Sequence, residues 1–208
     1  MIEVQDWGLI DYNEAWERQK QIASEIAEKR NRNVFVVCQH PSVITVGRAG
    51  KDSNILLPTK LLESKGIKVI YNDRGGDVTL HNPGQLVGYP IFNLYDYKTD
   101  LHWFLREIEE TIIELLSTFN IKGERVEGLT GVWIERSRKI CAIGLHCSRW
   151  VTSHGFALNV CNDLREFDYI VPCGIKGKEV TSISKELGTE IDFNLVKTRC
   201  IEFFEKRF

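Results

Sequence analysis

One cysteine in this sequence lies in a context that suits covalent chemistry. Cys173 is found in the run IVPCGI (170–175), between a rigid proline and a permissive glycine, which indicates a loop. A thiol attacks only as the thiolate, so it needs a nearby cation or base that lowers its pKa from about 8.5. The remaining cysteines, at positions 38, 141, 147, 161 and 200, fall in apolar strand-like or helical contexts, and we interpret them as small core residues with free thiols.

Lys139 is the residue that we select as this base. It begins the run KICAIG (139–144), where the end of a strand could direct the side chain into a cleft. A lysine that is simply solvated on the surface is the alternative interpretation. Cys173 and Lys139 are distant along the chain, so composition and spacing do not show that they meet.

A glycine-rich segment, RGGDVTLHNPGQ (74–85), combines three glycines and a proline with several polar residues. Paired glycines allow backbone N–H groups to approach a ligand carbonyl or phosphate, Arg74 offers a rigid set of donors, and His81 can donate or accept near neutral pH. A tight hairpin that needs glycine for its backbone angles explains the same residues equally well.

A third segment, HGFALN (154–159), again joins a histidine and a glycine to apolar residues. It could form the wall of a pocket. Taken alone, however, the segment is better explained as a hairpin that carries a hydrogen-bonded core histidine.

Several common catalytic and cofactor patterns are missing from the sequence. It contains no G-x-G-x-x-G after a strand and no P-loop, so dinucleotide and P-loop nucleotide sites are excluded. H-E-x-x-H and C-x-x-C are also absent, so we expect no metal and no cofactor. The lack of G-x-S-x-G weakens a serine hydrolase hypothesis without eliminating it.

Helices and strands that would position these residues are visible in the apolar periodicity. Helices are predicted at 11–30, with Asp11 and Glu14 at capping-box spacing, at 58–65 before Gly66, at 100–119 after Asp100, and at 192–208. Short β-branched runs predict strands at 34–38, 43–47 and 68–71, and the runs GVWI, KICAIGLHC and GFALNV predict an antiparallel meander between 126 and 160. Helices bracket the strands, which favours an α+β fold with a mixed sheet.

Length and charge limit the class of protein. The 208 residues fit a single domain spanning 1–208, and the formal net charge of -2 removes the simplest electrostatic case for nucleic acid binding. We find no apolar run of membrane-spanning length and no basic-then-apolar start typical of a secretory signal, so we expect a cytoplasmic protein that has no nucleic acid or membrane partner.

Three segments, RGGDVTLHNPGQLVGYP, KICAIGLHCSRWVTSHGFALNV and IVPCGI followed by EVTS, occur in this order between about residues 34 and 184. Together they resemble the lipoyl(octanoyl) transferase family. The resemblance implies the fold of the biotin and lipoate protein ligase catalytic domain. It also implies an enzyme that moves an octanoyl group from acyl carrier protein to a lysine of lipoyl domains, as in 2-oxoacid dehydrogenases and the glycine cleavage H protein.

Carried over by residue, the resemblance makes Cys173 the acyl-thioester nucleophile and Lys139 the residue that lowers its pKa and moves protons. The implied substrate-binding residues are Arg74, Gly75, Gly76, Asp77, Val78, Thr79, Leu80, His81, Ala142, Ile143, Gly144, His154, Gly155 and Phe156. Of these, Leu80, Ile143 and Phe156 are candidate walls for the acyl tail.

Four alternatives remain open at this point. An ATP-dependent lipoate or biotin ligase on the same fold would form an acyl-adenylate and need no nucleophilic cysteine, which Cys173 argues against. An amidotransferase would move octanoyl between lipoyl domains through a similar thioester. A non-catalytic module would bind acylated carrier protein without turnover, and a thiol hydrolase would release free octanoate.

Overall fold

Two β-sheets and five helices make up the part of the chain that the structure describes. The structure, a computed structural model, covers residues 2–29, 32–171 and 178–208. The helices are α1 (Tyr12–Lys29), α2 (Thr59–Ser64), α3 (Leu101–Ser117), α4 (Ile183–Leu187) and α5 (Phe193–Arg207). The strands are β1 (Glu3–Leu9), β2 (Val34–Gln39), β3 (Val43–Val46), β4 (Lys68–Tyr71), β5 (Val78–His81), β6 (Gln85–Ile91), β7 (Glu124–Val126), β8 (Leu129–Ile134), β9 (Arg138–Ser148), β10 (Val151–Asn159) and β11 (Glu179–Val180).

Within these residues the large sheet has eight strands and the small sheet has three. The large sheet runs in the order β1-β2-β6-β10-β9-β8-β7, and β11 pairs with β9. Its pairs are antiparallel except β1 with β2 and β11 with β9. The small sheet has the order β4-β3-β5. The sheets are therefore mixed, and the short loop after β5 carries the chain from the small sheet into the large one.

Side chains of the large sheet alternate between two faces that pack against different helices. Phe35 and Val37 of β2 pack in the core with α3 and α5, and we call this side the helix face. Val36 and Cys38 point the other way, toward α1. The small sheet lies on this second side, which we call the cleft face, and has a core of its own that includes Leu80. Among the described helices, none combines the length and apolar character needed to cross a bilayer.

Several sequence predictions are confirmed here. The predicted α+β fold with a mixed sheet is present, and β8, β9 and β10 form the predicted antiparallel meander. Asp100 caps α3, because its side chain accepts a hydrogen bond from the backbone N–H of Trp103. Asp192 caps α5 in the same way through the N–H of Asn194. Capping residues and apolar periodicity were sufficient to predict these elements.

Other predictions were wrong or incomplete. The glycine-rich segment 74–85 does not form the tight hairpin that was one interpretation, because β5 and β6, which it connects, belong to different sheets. Strand β1 was not predicted, since most of its residues are exposed or half-buried and it lacks an apolar pattern. Cys161 is exposed, so the interpretation of that cysteine as a core residue is wrong. Cys173 lies outside the described residues.

A β-bulge in β9 reverses the face on which its side chains lie. Val132 pairs with Cys141 but the next residue, Trp133, pairs with Lys139, so Ile140 is the extra residue. Ile140 and Cys141 consequently both pack into the helix-face core. Without the bulge, strict alternation would place Lys139 on the same face as Cys141. The bulge instead turns Lys139 toward the cleft face.

Gly131 and Glu109 hold this bulge in place. Gly131 has φ +107°, and a Cβ there would lie 2.4 Å from the carbonyl oxygen of Cys141. Its N–H donates to Oε1 of the buried Glu109 on α3 at 2.9 Å. Oε2 of Glu109 accepts from Arg106 at 2.6 Å and Arg125 at 3.0 Å. One carboxylate therefore ties α3 to the strand next to Lys139.

We predict that Glu109→Gln lowers the free energy of unfolding by about 2–3 kcal/mol, because it removes a buried charge from two arginines. The loss is smaller than for a fully buried pair, since the arginine side chains are 34% and 36% exposed. Urea unfolding measures it. The matched control is Glu110→Gln, since Glu110 also pairs with Arg125 but is 37% exposed. That variant should lose about 1 kcal/mol or less. Equal losses in both variants would contradict the role assigned to Glu109.

Candidate active site

A narrow cavity of about 50 Å³ lies between the cleft face of the large sheet and the small sheet. Strands β5, β6, β9 and β10, the start of α1 and the loop before β5 all contribute to its wall. The lining residues are Tyr12, Arg74, Gly76, Asp77, Val78, Thr79, His81, Val87, Tyr89, Ala142, Ile143, Gly144, His154, Gly155, Phe156 and Ala157. Segments far apart in sequence are thus brought to one site.

The loop that precedes β5 packs directly on β9. The N–H of Gly75 donates to the carbonyl oxygen of Leu145 at 2.8 Å. A Cβ at Gly144 would lie 2.6 Å from the carbonyl oxygen of Gly75, so this close approach requires glycine. Because its N–H is already donated to Leu145, Gly75 is not a candidate to stabilise a substrate oxyanion in this conformation.

Arg74 holds the small sheet to this loop. Its buried guanidinium donates to the carbonyl oxygen of Thr45 on β3 and to that of Asp77, both at 2.7 Å. It also donates to Oγ1 of Thr45 at 3.0 Å. These contacts fix the loop at the wall of the cavity and show Arg74 acting on the protein backbone itself, rather than only as a donor for a ligand.

His81 lies in a buried hydrogen-bond network that sets its tautomer. The amide nitrogen of Gln85 donates to the carbonyl of Leu80 and to Oδ1 of Asn159. The amide oxygen of Gln85 therefore accepts from Nδ1 of His81, at 2.8 Å. Burial, followed by the proximity of His40, lowers the pKa of His81 to about 3. His81 is consequently neutral near pH 7, with Nε2 as an acceptor.

His154 adopts an uncommon backbone conformation on β10, with φ +57°. Its side chain lies on the cleft face, where Nε2 donates to Oδ1 of Asp73 at 2.8 Å. Burial lowers the pKa of His154 to about 4 despite this carboxylate. Within the described residues, its Nδ1 is buried without a hydrogen-bond partner. A neutral ring with Nε2 protonated fits these observations.

Two tyrosines of the cavity, Tyr12 and Tyr89, and the nearby His40 are also neutral. Nδ1 of the buried His40 donates to the carbonyl of Ile10 at 2.7 Å, and its Nε2 accepts from the Tyr89 hydroxyl at 2.6 Å. Burial lowers the pKa of His40 to about 4 and raises those of Tyr12 and Tyr89 above the ordinary tyrosine value. The charged lining residues, Arg74 and Asp77, are hydrogen-bonded to the protein itself. The rest of the lining is apolar or uncharged, which favours an uncharged, largely apolar ligand.

Lys139 lies in a smaller hollow next to this cavity, which we call the lysine hollow. It is lined by Thr79, Gln85, Lys139, Ala142, Ala157, Asn159, Phe167 and Val180. Thr79, Ala142 and Ala157 line both spaces. The two spaces are therefore adjacent, and a ligand in the cavity could present one end to Lys139.

The cavity includes most of the binding residues that the sequence predicted. Gly75 and Leu80 are not among its lining residues, and Leu80 packs in the core of the small sheet. The ring of Phe156 stacks on Phe204 with 5.4 Å between centroids, and Ile143 packs against the same helix-face core. Two of the expected walls thus direct their side chains away from the cavity. Cys173 lies outside the described residues, so its proximity to Lys139 stays a prediction.

Four lining residues were missed by the sequence reasoning. Val87, Tyr89 and Ala157 face the cavity from β6 and β10, and Tyr12 faces it from the first turn of α1. Alternation along β10 could have indicated Ala157, because it lies two residues after Gly155. Nothing in the sequence around Tyr12 marks it, since its position depends on how α1 packs on the sheet.

Known proteins match this chain over nearly its whole length. The model of the lipoyl protein ligase A/B catalytic domain family matches residues 11–205. An octanoyltransferase of Cytophaga hutchinsonii is 48% identical over 212 residues, which cover 93% of this chain and 87% of that protein. An octanoyltransferase of Flavobacterium psychrophilum is 46% identical over 223 residues, which cover 100% of this chain and 96% of that protein.

Solved structures share the fold at low sequence identity. A chain from the structure of a bipartite lipoate protein ligase and its E2 lipoyl domain, from Thermoplasma acidophilum, has a TM-score of 0.73 at 13% identity and covers 99% of this chain and 83% of that one. Biotin protein ligase from Aquifex aeolicus, in complex with biotin and ATP, has a TM-score of 0.58 at 13% identity, with coverages of 100% and 70%. These likenesses confirm the predicted ligase-like fold.

We predict that the protein loses stability as the pH falls from about 6.5 to about 4. The three buried histidines have folded pKa values of about 3 to 4, below the ordinary value of about 6.5, so the unfolded chain takes up protons first. Each of the three histidines should lower the free energy of unfolding by on the order of 1–2 kcal/mol by pH 5. Urea unfolding between pH 4.5 and 7.5 measures this.

His81→Gln should reduce the slope of stability against pH by the contribution of one histidine. The control is His102→Gln, since His102 is exposed on α3 and outside the cavity. If His81→Gln and the parent protein show the same slope, His81 does not have the buried, neutral state described here.

Proposed function

The chain belongs to the lipoyl protein ligase A/B catalytic domain family, and we propose that it transfers octanoyl from acyl carrier protein, through a thioester on Cys173, to a lysine of lipoyl domains. Octanoyl transfer for lipoylation is supported by the octanoyltransferases that are 44–48% identical over nearly the whole chain. Three parts of the proposal need to be tested, namely the identity of the donor, the cysteine thioester and the individual acceptors.

The observation that carries this proposal is the position of Lys139. The bulge in β9 directs this lysine into the lysine hollow, where its side chain is 7% exposed. Lys178 is five residues after Cys173 in sequence, and its Nζ lies 5.7 Å from the ring centroid of Trp133. Nζ of Lys139 lies 4.6 Å from the same centroid. Lys178 therefore lies near Lys139, and its closeness in sequence to Cys173 supports a meeting of the lysine with that cysteine.

In the first half-reaction, Lys139 would stabilise the Cys173 thiolate. The thiolate attacks the carbonyl carbon of the octanoyl thioester carried by phosphopantetheine. A new C–S bond to Cys173 forms, the bond to the carrier thiol breaks, and the Lys139 ammonium supplies the proton to the leaving thiolate. One thioester replaces another, so the free-energy change is small.

In the second half-reaction, the amine of a lipoyl-domain lysine attacks the carbonyl of the acyl-enzyme. Lys139, now a neutral amine, accepts a proton from the attacking nitrogen and acts as a general base. The C–N bond forms, the C–S bond to Cys173 breaks, and the thiolate is regenerated beside the Lys139 ammonium. A thioester is converted into an amide, which makes this step favourable.

The octanoyl tail would extend from the lysine hollow into the adjacent cavity. The shared lining residues Thr79, Ala142 and Ala157 provide a continuous path, and two of them carry only a methyl side chain. Each buried methylene contributes roughly 0.8 kcal/mol, which favours a saturated chain over water. A cavity of about 50 Å³ is small compared with usual ligand pockets of roughly 300 Å³ or more, so side chains must move apart to admit the tail.

We propose acyl carrier protein as the donor, and lipoyl domains of 2-oxoacid dehydrogenases and the glycine cleavage H protein as acceptors. The solved ligase of Thermoplasma acidophilum is described together with its own E2 lipoyl domain, which supports this class of acceptor. We expect no metal, nucleotide or other cofactor to take part, and we expect the reaction in the cytoplasm, with no nucleic acid or membrane partner.

We predict transfer without ATP. Incubation of the protein with octanoyl-carrier protein and an unmodified lipoyl domain should yield octanoylated lipoyl domain, and the protein alone with the donor should gain the mass of one octanoyl group. Both Cys173→Ala and Cys173→Ser should lose that adduct, because the thioester needs the thiol. Intact-protein mass spectrometry measures both products. Addition of a metal chelator should change neither result.

Each alternative activity gives a different product in this assay. A strict need for ATP would indicate a ligase, and transfer only from an octanoylated lipoyl domain would indicate an amidotransferase. Free octanoate would indicate a hydrolase, and binding without any product would indicate a non-catalytic module. An adduct that persists in Cys173→Ala would overturn the assignment of the nucleophile.

We predict that Lys139→Ala slows both half-reactions, each by about 10²–10⁴-fold, because it removes the proton donor of the first and the base of the second. Rapid-mixing mass spectrometry resolves acylation of the enzyme from transfer to the lipoyl domain. Lys178→Ala is the control, since Nζ of Lys178 is exposed and donates to the carbonyl oxygen of Arg136 at 2.6 Å. A loss confined to one half-reaction would contradict the dual role of Lys139.

A further inference from the structure

Trp133 is a buried aromatic residue on the cleft face that no step of the reaction above uses. Its neighbours on β8, Val132 and Ile134, pack in the helix-face core. Alternation directs Trp133 to the opposite side, and the bulge pairs it with Lys139. Cross-strand partners share one face of a sheet, so the two side chains lie next to each other. Trp133 is 1% exposed, which makes it the largest fully buried side chain of the described residues.

The indole and the lysine are at the distance of a cation–π interaction. Nζ of Lys139 lies 4.6 Å from the centroid of the Trp133 ring. An ammonium within about 6 Å of a tryptophan face is attracted by the ring quadrupole, and the attraction is greater where water is excluded. Both side chains are more than nine-tenths buried, with exposures of 1% and 7%. Trp133 therefore pairs with Lys139 across the two strands and also contacts its ammonium through the indole ring.

We propose that Trp133 is the positioning residue for Lys139: its indole face holds the ammonium in the lysine hollow of the free enzyme, before acylation. This inference rests on the proposed function. Once Cys173 has become a thioester, Lys139 has given up its proton, and neither the thiolate nor the cation–π attraction acts on it. The indole therefore acts on the lysine in the charged state that precedes the first half-reaction, when the thiolate of Cys173 must be stabilised.

The charged and titratable groups around this pair come from several strands. Lys178 precedes β11 and contacts the same ring, with Nζ 5.7 Å from the centroid. Cys141 lies two residues after Lys139 but on the helix face, where burial raises the pKa of its thiol. Glu109 is on that side as well, bound to Gly131 and two arginines. Among the described side chains, Trp133 thus provides an aromatic contact for the Lys139 ammonium on the cleft face.

The rate of alkylation of Cys173 by iodoacetamide, measured between pH 5 and 9, tests the inference. Quantification on the peptide that contains Cys173 separates it from the exposed Cys161. In Trp133→Leu we expect a rate at pH 7 about three- to tenfold lower, with the midpoint of the pH profile moved upward, because the ammonium is held less firmly beside the thiolate. Trp133→Phe, which keeps an aromatic face, should retain most of the rate.

A double-mutant cycle with Lys139→Met shows whether the indole acts through the lysine. In the Lys139→Met background, Trp133→Leu should cause no further change in the pH profile. Trp7→Leu is the matched control, since Trp7 also has a cation over its ring, Arg18 at 5.5 Å, but packs against α1 away from the cavity. That variant should keep the parent profile.

Fluorinated tryptophans provide a test that leaves the shape of the side chain nearly unchanged, and they decide the matter if Trp133→Leu does not fold. When the five tryptophans are replaced by analogues that carry increasing numbers of fluorine atoms, the alkylation rate should fall stepwise in the parent protein. In Trp133→Phe the same replacement should not lower the rate. A flat series in the parent protein would overturn the inference.

The outcomes separate this inference from the proposed function. If Lys139→Met leaves the alkylation profile unchanged, Lys139 does not act on Cys173, and the proposed function fails together with the inference. If Lys139→Met shifts the profile but Trp133→Leu and the fluorinated series do not, only the inference is overturned. A shift by Trp133→Leu that persists in the Lys139→Met background would also overturn it, because it would indicate a purely structural effect.

Discussion

The bulge at Ile140 is the constraint on which the arrangement of the site depends. A regular strand would place Lys139 and Cys141 on the same face, and Cys141 belongs to the core with α3 and α5. A lysine in that core would have to lose its charge or be paired. One extra residue moves the ammonium to the other face. The cost of the irregular backbone is offset by Gly131, which tolerates φ +107°, and by the carboxylate of Glu109, which binds its N–H.

The cavity next to Lys139 combines apolar walls with neutral histidines and tyrosines, and its charged lining residues, Arg74 and Asp77, are hydrogen-bonded to the protein itself. His81 and His154 each donate one ring N–H, to Gln85 and to Asp73, and burial opposes a second proton. Protonated histidines would add to the positive charge of Arg74, oppose the Lys139 ammonium and attract water to the wall. With the histidines neutral and Arg74 hydrogen-bonded to backbone carbonyls, most of the cavity wall is uncharged, and Lys139 lies in the adjacent lysine hollow. This polarity matches a ligand with an apolar tail and one reactive carbonyl.

The fold of this chain is also found in protein ligases that are distant in sequence. Solved lipoate and biotin protein ligases share the fold at 12–13% identity, and two of them were solved with ATP. The fold therefore provides a cleft between two sheets, and particular side chains determine which reaction occurs there. For this chain we propose that the lysine directed into the cleft acts together with Cys173, in a route through a thioester that needs no adenylate.

Much of the fold could be predicted from local sequence. Helices α1, α3 and α5 follow from apolar periodicity and from caps such as Asp100, and the meander follows from alternating runs between polar turns. The glycine-rich segment was more difficult, because β5 pairs with β3 in another sheet, and such pairing is a non-local property. Strand β1 was missed for a similar reason, since its half-exposed residues become a strand through parallel pairing with β2.

Motifs in the sequence determined which residue types are available for chemistry, namely Cys173, Lys139 and the histidines near glycine, because residue identity and short spacing are properties of the linear chain. Tertiary structure alone decided which of them share a space. It brought β5, β9 and β10 around one cavity, added Tyr12 from α1, and turned Phe156 away into the helix-face core. It also paired Trp133 with Lys139 across a shifted register. These outcomes depend on strand register and on which face packs against which helix, and both are fixed by contacts between residues far apart in the chain.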